Sequence, residues 1–535
     1  MGFARTCSVA LVGVEGVLVE VQADLEPGVA TFTLVGLPDK SLVESRDRVR
    51  AAVVNSGVDW PQKKLTVGLS PAAVPKGGSG FDLAVACAVL GAAERIDPRR
   101  LTDLLMIGEL GLDGRVRPVR GVLPAVLAAA DAGYRQVVVP EQTAAEAALV
   151  PEVAVLGVRS LGQLIAVLMD EAVPEEEPVA ADGLPDLGLA GLAVPGGGLS
   201  PGGGAAVDLC EVAGQHTARA ALEVAAAGRH HLFLKGPPGA GKTLLAERLP
   251  GILPPLSKQE SLEATAVHSV AGVLPHGQPL VSRPPYYAPH HSASMASLIG
   301  GGTGLPRPGA VSLAHHGVLF LDEAAECAPR VLDALRQPLE SGHVMIARSQ
   351  GMLRMPARLQ LVLAANPCPC GRHGTTAGEC ECRPAAVRRY RARLSGPLLD
   401  RVDLRVQVEP VSRAELLAAV RSAESTATVA ARVAVARQRA QERLTGTPWR
   451  TNNEVPGHEL RTRWPLERGA LSTVESDMER GFLTARGLDR VLRVAWTLAD
   501  LADHARPTKE DVDLALELRT GVSRGAVATG SGAAR

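Results

Sequence analysis

Over the first 170 residues, short Val-rich runs alternate with stretches of helical period. Residues 10–14, 17–21, 64–69 and 137–139 read as strands, and residues 41–56 and 82–90 as helices. The alternation predicts an α/β domain over residues 1–170. Periodicity then stops. The acidic run Glu175-Glu176-Glu177 leads into a Gly- and Pro-rich stretch at 195–204, which predicts a flexible linker over 171–206. From Asp208 a second α/β block extends to about Val408, so a core is expected over 207–409. Apolar strands are expected at 231–234, 318–321 and 359–365. Residues 410–524 read as helical, and Thr508-Lys509-Glu510-Asp511 predicts a capping box at the start of the last helix. The Gly- and Ala-rich end, 525–535, is expected to be a disordered tail.

Composition adds limits. At 535 residues, three or so domains are expected. Aromatics are 3%, so Ala, Val and Leu must build the cores. A net charge of −1 gives the whole chain no electrostatic pull toward nucleic acid, so any attraction must come from local patches. There is no signal-like N-terminus and no run of about 20 apolar residues, which together predict a cytoplasmic protein without a membrane span.

The chemistry starts at Gly236-Pro237-Pro238-Gly239-Ala240-Gly241-Lys242-Thr243. This is a G-x-x-x-x-G-K-T phosphate-binding loop, set between a predicted strand and a predicted helix. Glycines there let backbone N–H groups turn onto phosphate oxygens, while Lys242 reaches the outer phosphates and Thr243 offers a hydroxyl to Mg²⁺. Downstream, Val318-Leu319-Phe320-Leu321 ends in Asp322 and Glu323. Asp322 fits the carboxylate that orients Mg²⁺, and Glu323 fits the base that polarises the attacking water. The strand after these ends in Asn366, whose amide can position that water.

These strand ends, in this order, resemble the AAA+ family, which implies a ring-forming ATPase, commonly a homo-hexamer. Asp208-Leu209-Cys210-Glu211 resembles the family's segment beside the adenine. Gly396-Pro397-Leu398-Leu399-Asp400-Arg401 resembles the stretch bearing the arginine finger, which would let Arg401 reach a neighbour's ATP. Ala485-Arg486-Gly487 resembles the second sensor in a helical lid. A long Gly/Pro/His-rich insertion spans 268–316. A second insertion predicts a hairpin, strands at 344–347 and 352–355 around Arg348.

The segments Pro289-His290-His291-Ser292, Leu313-Ala314-His315-His316, Leu335-Arg336-Gln337-Pro338 and Asn366-Pro367-Cys368-Pro369-Cys370-Gly371 resemble the magnesium-chelatase-like branch of AAA+, most closely its YifB/ComM type. That resemblance implies a hexameric DNA motor associated with branch migration during recombination of incoming DNA, with recombination proteins as partners. In such rings Arg348 and Arg354 are candidate phosphate contacts, against the alternative of solvated hairpin charges. A chaperone-like motor serving a metal chelatase or remodelling another protein is the rival expectation.

Four of the eight cysteines, Cys368, Cys370, Cys380 and Cys382, form C-x-C-x9-C-x-C, which suits a structural Zn²⁺ site; unliganded or redox-active thiols are the alternatives. Arg383, Arg388, Arg389, Arg391 and Arg393 follow, as a DNA contact or a subunit interface. The pairs His290-His291 and His315-His316 are not expected to share an ion, because adjacent side chains diverge. Finally, residues 5–170 resemble the domain that carries the protease site of Lon. In that register Gly80 stands at the serine position and Leu123 at the lysine position, with Ser79 one residue off. A glycine supplies no nucleophile and a leucine no base, so peptidase activity is not expected.

Overall fold

The computed structural model describes residues 2–36, 39–176, 207–275, 277–302, 307–348, 351–374, 379–412, 415, 424–467 and 469–522. Most of the expected linker and the whole expected tail lie outside these residues.

The N-terminal sheet has seven strands. They are β1 (Gly2–Val12), β2 (Glu15–Glu26), β3 (Thr31–Val35), β4 (Lys64–Ser70), β5 (Leu104–Met106), β8 (Gln136–Pro140) and β9 (Ala154–Val158), in the order β3-β4-β2-β1-β5-β8-β9. The short hairpin β6 (Glu109–Leu110) and β7 (Val116–Arg117) stands apart. The helices Lys40–Asn55 and Asp82–Ala92 lie where the period predicts them. The expected strand at 10–14 is corrected: β1 starts at Gly2 and ends at Val12, and Gly13 (φ +72°) turns the chain into an antiparallel pair with β2. Polar residues such as Thr6 and Ser8 hid its early half, although both are buried.

The second sheet has five strands, β10 (Leu232–Lys235), β11 (Tyr286–Tyr287), β14 (Val318–Leu321), β17 (Gln360–Ala365) and β18 (Leu404–Gln407), all parallel, in the order β11-β14-β17-β10-β18. Continuous burial of β14 and β17 explains their unbroken apolar runs. Parallel strands bring all their C-terminal ends to one edge, the usual ligand edge of an open α/β sheet. Two ribbons decorate this sheet: β12 (Gly300–Gly301) with β13 (Arg307–Pro308), and β15 (His343–Arg348) with β16 (Gly351–Pro356). The latter is the hairpin expected around Arg348.

The C-terminal part is helical, with Thr426–Arg443, Ala485–Ala502 and Lys509–Thr520 its longest helices. Thr508 and Asp511 form the predicted capping box. The two sheets' layers meet where the helix Val122–Asp131 packs on Lys258–Ala271. Leu123, Val126 and Ala266 share one apolar cluster there. Ser269 Oγ donates to Glu146 at 2.5 Å, and the Leu123 N–H donates to the same carboxylate at 2.7 Å. Burial pushes that carboxyl's pKa up. Leu123 is thus part of a packed internal contact. Among the described residues, no helix is long and apolar enough to cross a membrane.

Candidate nucleotide site and tetracysteine loop

The loop from Gly236 to Thr243 joins β10 to the helix Lys242–Ile252. Gly239 and Gly241 have φ of +76° and +89°, and a Cβ at either would meet open space, so backbone conformation is what requires glycine there. Gly236 differs, since a side chain would strike the Val408 carbonyl at the end of β18. Ala240 is fixed from outside, because its carbonyl accepts from Gln215 Nε2 at 3.0 Å.

Lys242 is buried. Its Nζ donates to Gly236 O (2.9 Å), Pro237 O (2.8 Å) and Asn366 Oδ1 (3.1 Å), tying the end of β17 to the loop. Burial lowers the ammonium's pKa, and the carboxylates of Asp322 and Glu323 oppose the shift. Thr243 Oγ1 donates to Asp322 Oδ2 at 2.5 Å. A hydroxyl and a carboxylate side by side are the hard oxygen donors that suit Mg²⁺. Glu323 follows with a left-handed backbone (φ +47°), and its carboxylate lies 3.1 Å from His291 Nδ1. His291 follows β11, which flanks β14 on the side away from β17 and β10.

The two candidate arginines fare differently. Arg401 is 13% exposed and bonded to Glu340 and to Pro397 O (2.6 Å). Arg486 is exposed at the start of Ala485–Ala502. Four residues on, Arg490 does what sequence reasoning missed. It donates to Asp403 Oδ1 at 2.6 Å, locking the helical part onto the end of the segment that bears Arg401. Asp403 also accepts from the His231 N–H at 2.8 Å. Burial alone would raise that carboxyl, yet Arg490 and the neighbouring histidines hold it well below the usual range. Of the hairpin arginines, Arg354 is exposed, and the Arg348 side chain lies outside the described residues.

The four Sγ atoms of Cys368, Cys370, Cys380 and Cys382 lie within 4.8 Å of one another. Cys380 Sγ is 3.8 Å from that of Cys368 and 3.7 Å from that of Cys370, while the first pair is at 3.3 Å. Thiolates about 2.3 Å from a tetrahedral ion stand about 3.8 Å apart, so the set fits Zn²⁺. The Arg372 backbone N–H, chiefly, lowers the Cys370 thiol to about 6. All five arginines, Arg383, Arg388, Arg389, Arg391 and Arg393, are exposed; Arg391 bonds to Pro367 O (3.3 Å) and Arg393 to Glu326 (2.7 Å).

Residues 208–416 match the family description "Magnesium chelatase, subunit ChlI"; residues 21–143 match "Subunit ChlI of Mg-chelatase", and 423–519 match its C-terminal region. The chain is 51% identical to an uncharacterised protein of Mycobacterium tuberculosis, covering 98% of this chain and all of that one. It is 38% identical to the competence protein ComM of Haemophilus influenzae, over 94% of each chain. With the uncharacterised protein YifB of Escherichia coli it shares 36% identity, over 95% of this chain and 96% of the other. The chain belongs to the magnesium-chelatase-like ComM/YifB family. About a third of it is also 29% identical to a Lon protease of Azorhizobium caulinodans, covering 22% of that protein.

One further cluster in this ComM/YifB chain corrects an expectation. His315 and His316 do not diverge: both Nε2 atoms approach Glu263 Oε2, at 3.3 and 2.8 Å. The bend at His316 (φ +57°) allows it. Even so, the bonds at the other ring nitrogens argue against a metal. His315 Nδ1 accepts the Arg358 N–H at 2.9 Å, and His316 Nδ1 faces the Arg229 guanidinium at 3.3 Å. Glu260 stands farther from that nitrogen, at 3.6 Å. With Nδ1 accepting, the protons sit on Nε2 and point at Glu263, where an ion would have to be. The cluster is a hydrogen-bonded clamp between the helix Lys258–Ala271 and the start of β14.

Proposed function

We propose that this protein is an ATP-hydrolysing ring motor that translocates on or remodels branched or single-stranded DNA. The observation that carries the ATPase half is the convergence of Lys242, Thr243, Asp322, Glu323 and Asn366 on one sheet edge. Backbone N–H groups of Gly239–Thr243 and the Lys242 ammonium bind the phosphates. Thr243 and Asp322 would hold Mg²⁺, which neutralises charge developing on the phosphates. Glu323 takes the proton of the attacking water, and Asn366 orients it. Arg401, released from Glu340, enters a neighbouring subunit's site, and Arg486 faces the phosphates of its own subunit from the helical part. The four thiolates hold a structural Zn²⁺, since all four positions are filled by protein.

DNA as the track is supported by the kinship with a competence protein, by the exposed Arg354 on a hairpin inserted in the core, and by exposed Arg383, Arg388 and Arg389. Gly80 and Leu123 leave no peptidase pair, so the N-terminal part serves assembly or nucleic-acid binding. ATP turnover of the purified chain, measured with and without forked, branched and single-stranded DNA, tests the proposal. Stimulation by at least one of these supports it, and a rate indifferent to all of them contradicts it. The match to a chelatase subunit keeps one rival: co-purification of a large chelatase subunit, together with DNA-indifferent turnover, would favour a motor for metal insertion.

A further inference from the structure

The tetracysteine loop and the phosphate-binding loop touch. Gly371 (φ +78°) closes a turn by donating its N–H to Cys368 O at 3.0 Å. A Cβ built on Gly371 would overlap Pro238 Cδ and lie 2.7 Å from Pro238 Cγ. The Cys loop's backbone therefore rests on the proline ring beside Gly236 and Pro237, whose carbonyls hold Lys242. The loop's other end is fixed to the same lysine. It begins at Asn366-Pro367-Cys368, where Asn366 Oδ1 accepts from Lys242 and Pro367 O accepts from Arg391. Cys368 is fully buried, and its Sγ accepts the His373 N–H at 3.3 Å, the kind of outer-shell bond that steadies a metal-bound thiolate.

We propose that the metal held by Cys368, Cys370, Cys380 and Cys382 clamps this loop onto the phosphate-binding loop, with Gly371 as the positioning contact, so that nucleotide affinity depends on metal occupancy. The inference rests on the nucleotide-site and zinc readings above. With the ion bound, four metal–sulfur bonds join the Cys368/Cys370 pair to the Cys380/Cys382 pair. Losing the ion frees Cys380 and Cys382 from Cys368 and Cys370, and the turn that presses on Pro238 loses its anchor. Lys242 then keeps neither the Pro237 carbonyl nor Asn366 at fixed positions, and the cradle for the phosphates loosens.

The test uses the full-length chain as wild type, Cys380→Ser and Gly371→Ala. Three quantities are read: zinc per chain by elemental analysis, Kd for a fluorescent ATP analogue, and folding by circular dichroism. Wild type is expected to hold one zinc per chain. Cys380→Ser is expected to lose it and to bind the analogue about tenfold more weakly. Gly371→Ala is expected to keep its zinc, because all four thiols are intact, yet to bind about tenfold more weakly, because the new methyl displaces Pro238. If Cys380→Ser fails to fold, wild type stripped of zinc by a chelator and still folded by circular dichroism takes its place, with the same expected loss of affinity. A wild-type chain without bound metal, or variants whose Kd stays within about twofold of wild type, would overturn the clamp. A wild-type chain that binds no analogue would instead overturn the nucleotide-site reading, and the clamp with it.

Discussion

Lys242 Nζ lies 3.1 Å from Asn366 Oδ1, a bond between residues 124 positions apart that joins the phosphate-binding loop to the end of β17. Their substitutions are expected to separate binding from chemistry. Lys242→Ala removes the cation proposed to meet the phosphates and should abolish ATP binding in a fluorescence titration. Asn366→Ala should bind ATP within about threefold of wild type while kcat falls about a hundredfold, the loss of one positioning group. Weaker ATP binding with kcat unchanged would instead place Asn366 in binding only.

Glu323 is expected to act as base, so Glu323→Gln should retain ATP and lower kcat by a factor of about 10²–10⁴ in single-turnover assays. Its partner His291, 3.1 Å away on the side of β14 remote from β17, holds the carboxylate toward the outer strand. His291→Ala should therefore raise turnover measured without DNA. A fall as large as that of Glu323→Gln would instead make the histidine part of the hydrolytic machinery.

Asp403 is buried between Arg490 and the His231 N–H. Asp403→Ala leaves a guanidinium and a backbone N–H without their acceptor and should cost about 3–5 kcal/mol of stability in urea unfolding. An exposed carboxylate would cost under about 1 kcal/mol.

His231 contributes to the pH dependence, alongside His315, whose pKa burial also lowers to about 4. Burial lowers the His231 pKa to about 4, and Leu361 N–H donates to the His231 Nδ1 at 3.0 Å. An unfolded histidine titrates near about 6.5. Between these values the unfolded chain binds the proton and the folded chain does not. The histidine's stabilisation is thus full above about pH 6.5 and is lost as pH falls toward 4. By pH 5 the loss is on the order of 2 kcal/mol. His231→Asn, which retains an acceptor, should flatten that part of the profile; an unchanged slope would exclude His231 as a contributor.

What could be read from the chain follows a physical divide. The phosphate-binding loop, β14 with Asp322 and Glu323, the hairpin around Arg348 and the box at Thr508 and Asp511 are local patterns. Their spacing is set by one strand, one turn or one cap. The Arg490–Asp403 lock spans 87 residues, and the His315/His316 clamp reaches Glu263 some 50 residues back. No local period encodes either. Gly371 lacks a side chain because of its left-handed backbone and the path of the Cys turn over Pro238, and the second reason is visible only in the fold. Arg486 and Arg490 illustrate the limit, since one helix carries both and register alone does not say which is tied to the core.

The most direct measurement is strand movement on a branched DNA substrate by wild type and Glu323→Gln, with Mg·ATP. Wild type should resolve the branch into products in step with ATP turnover, while Glu323→Gln binds the same DNA and ATP and moves nothing. Branch movement by Glu323→Gln at the wild-type rate, or none by a wild type that turns over ATP, would contradict the account.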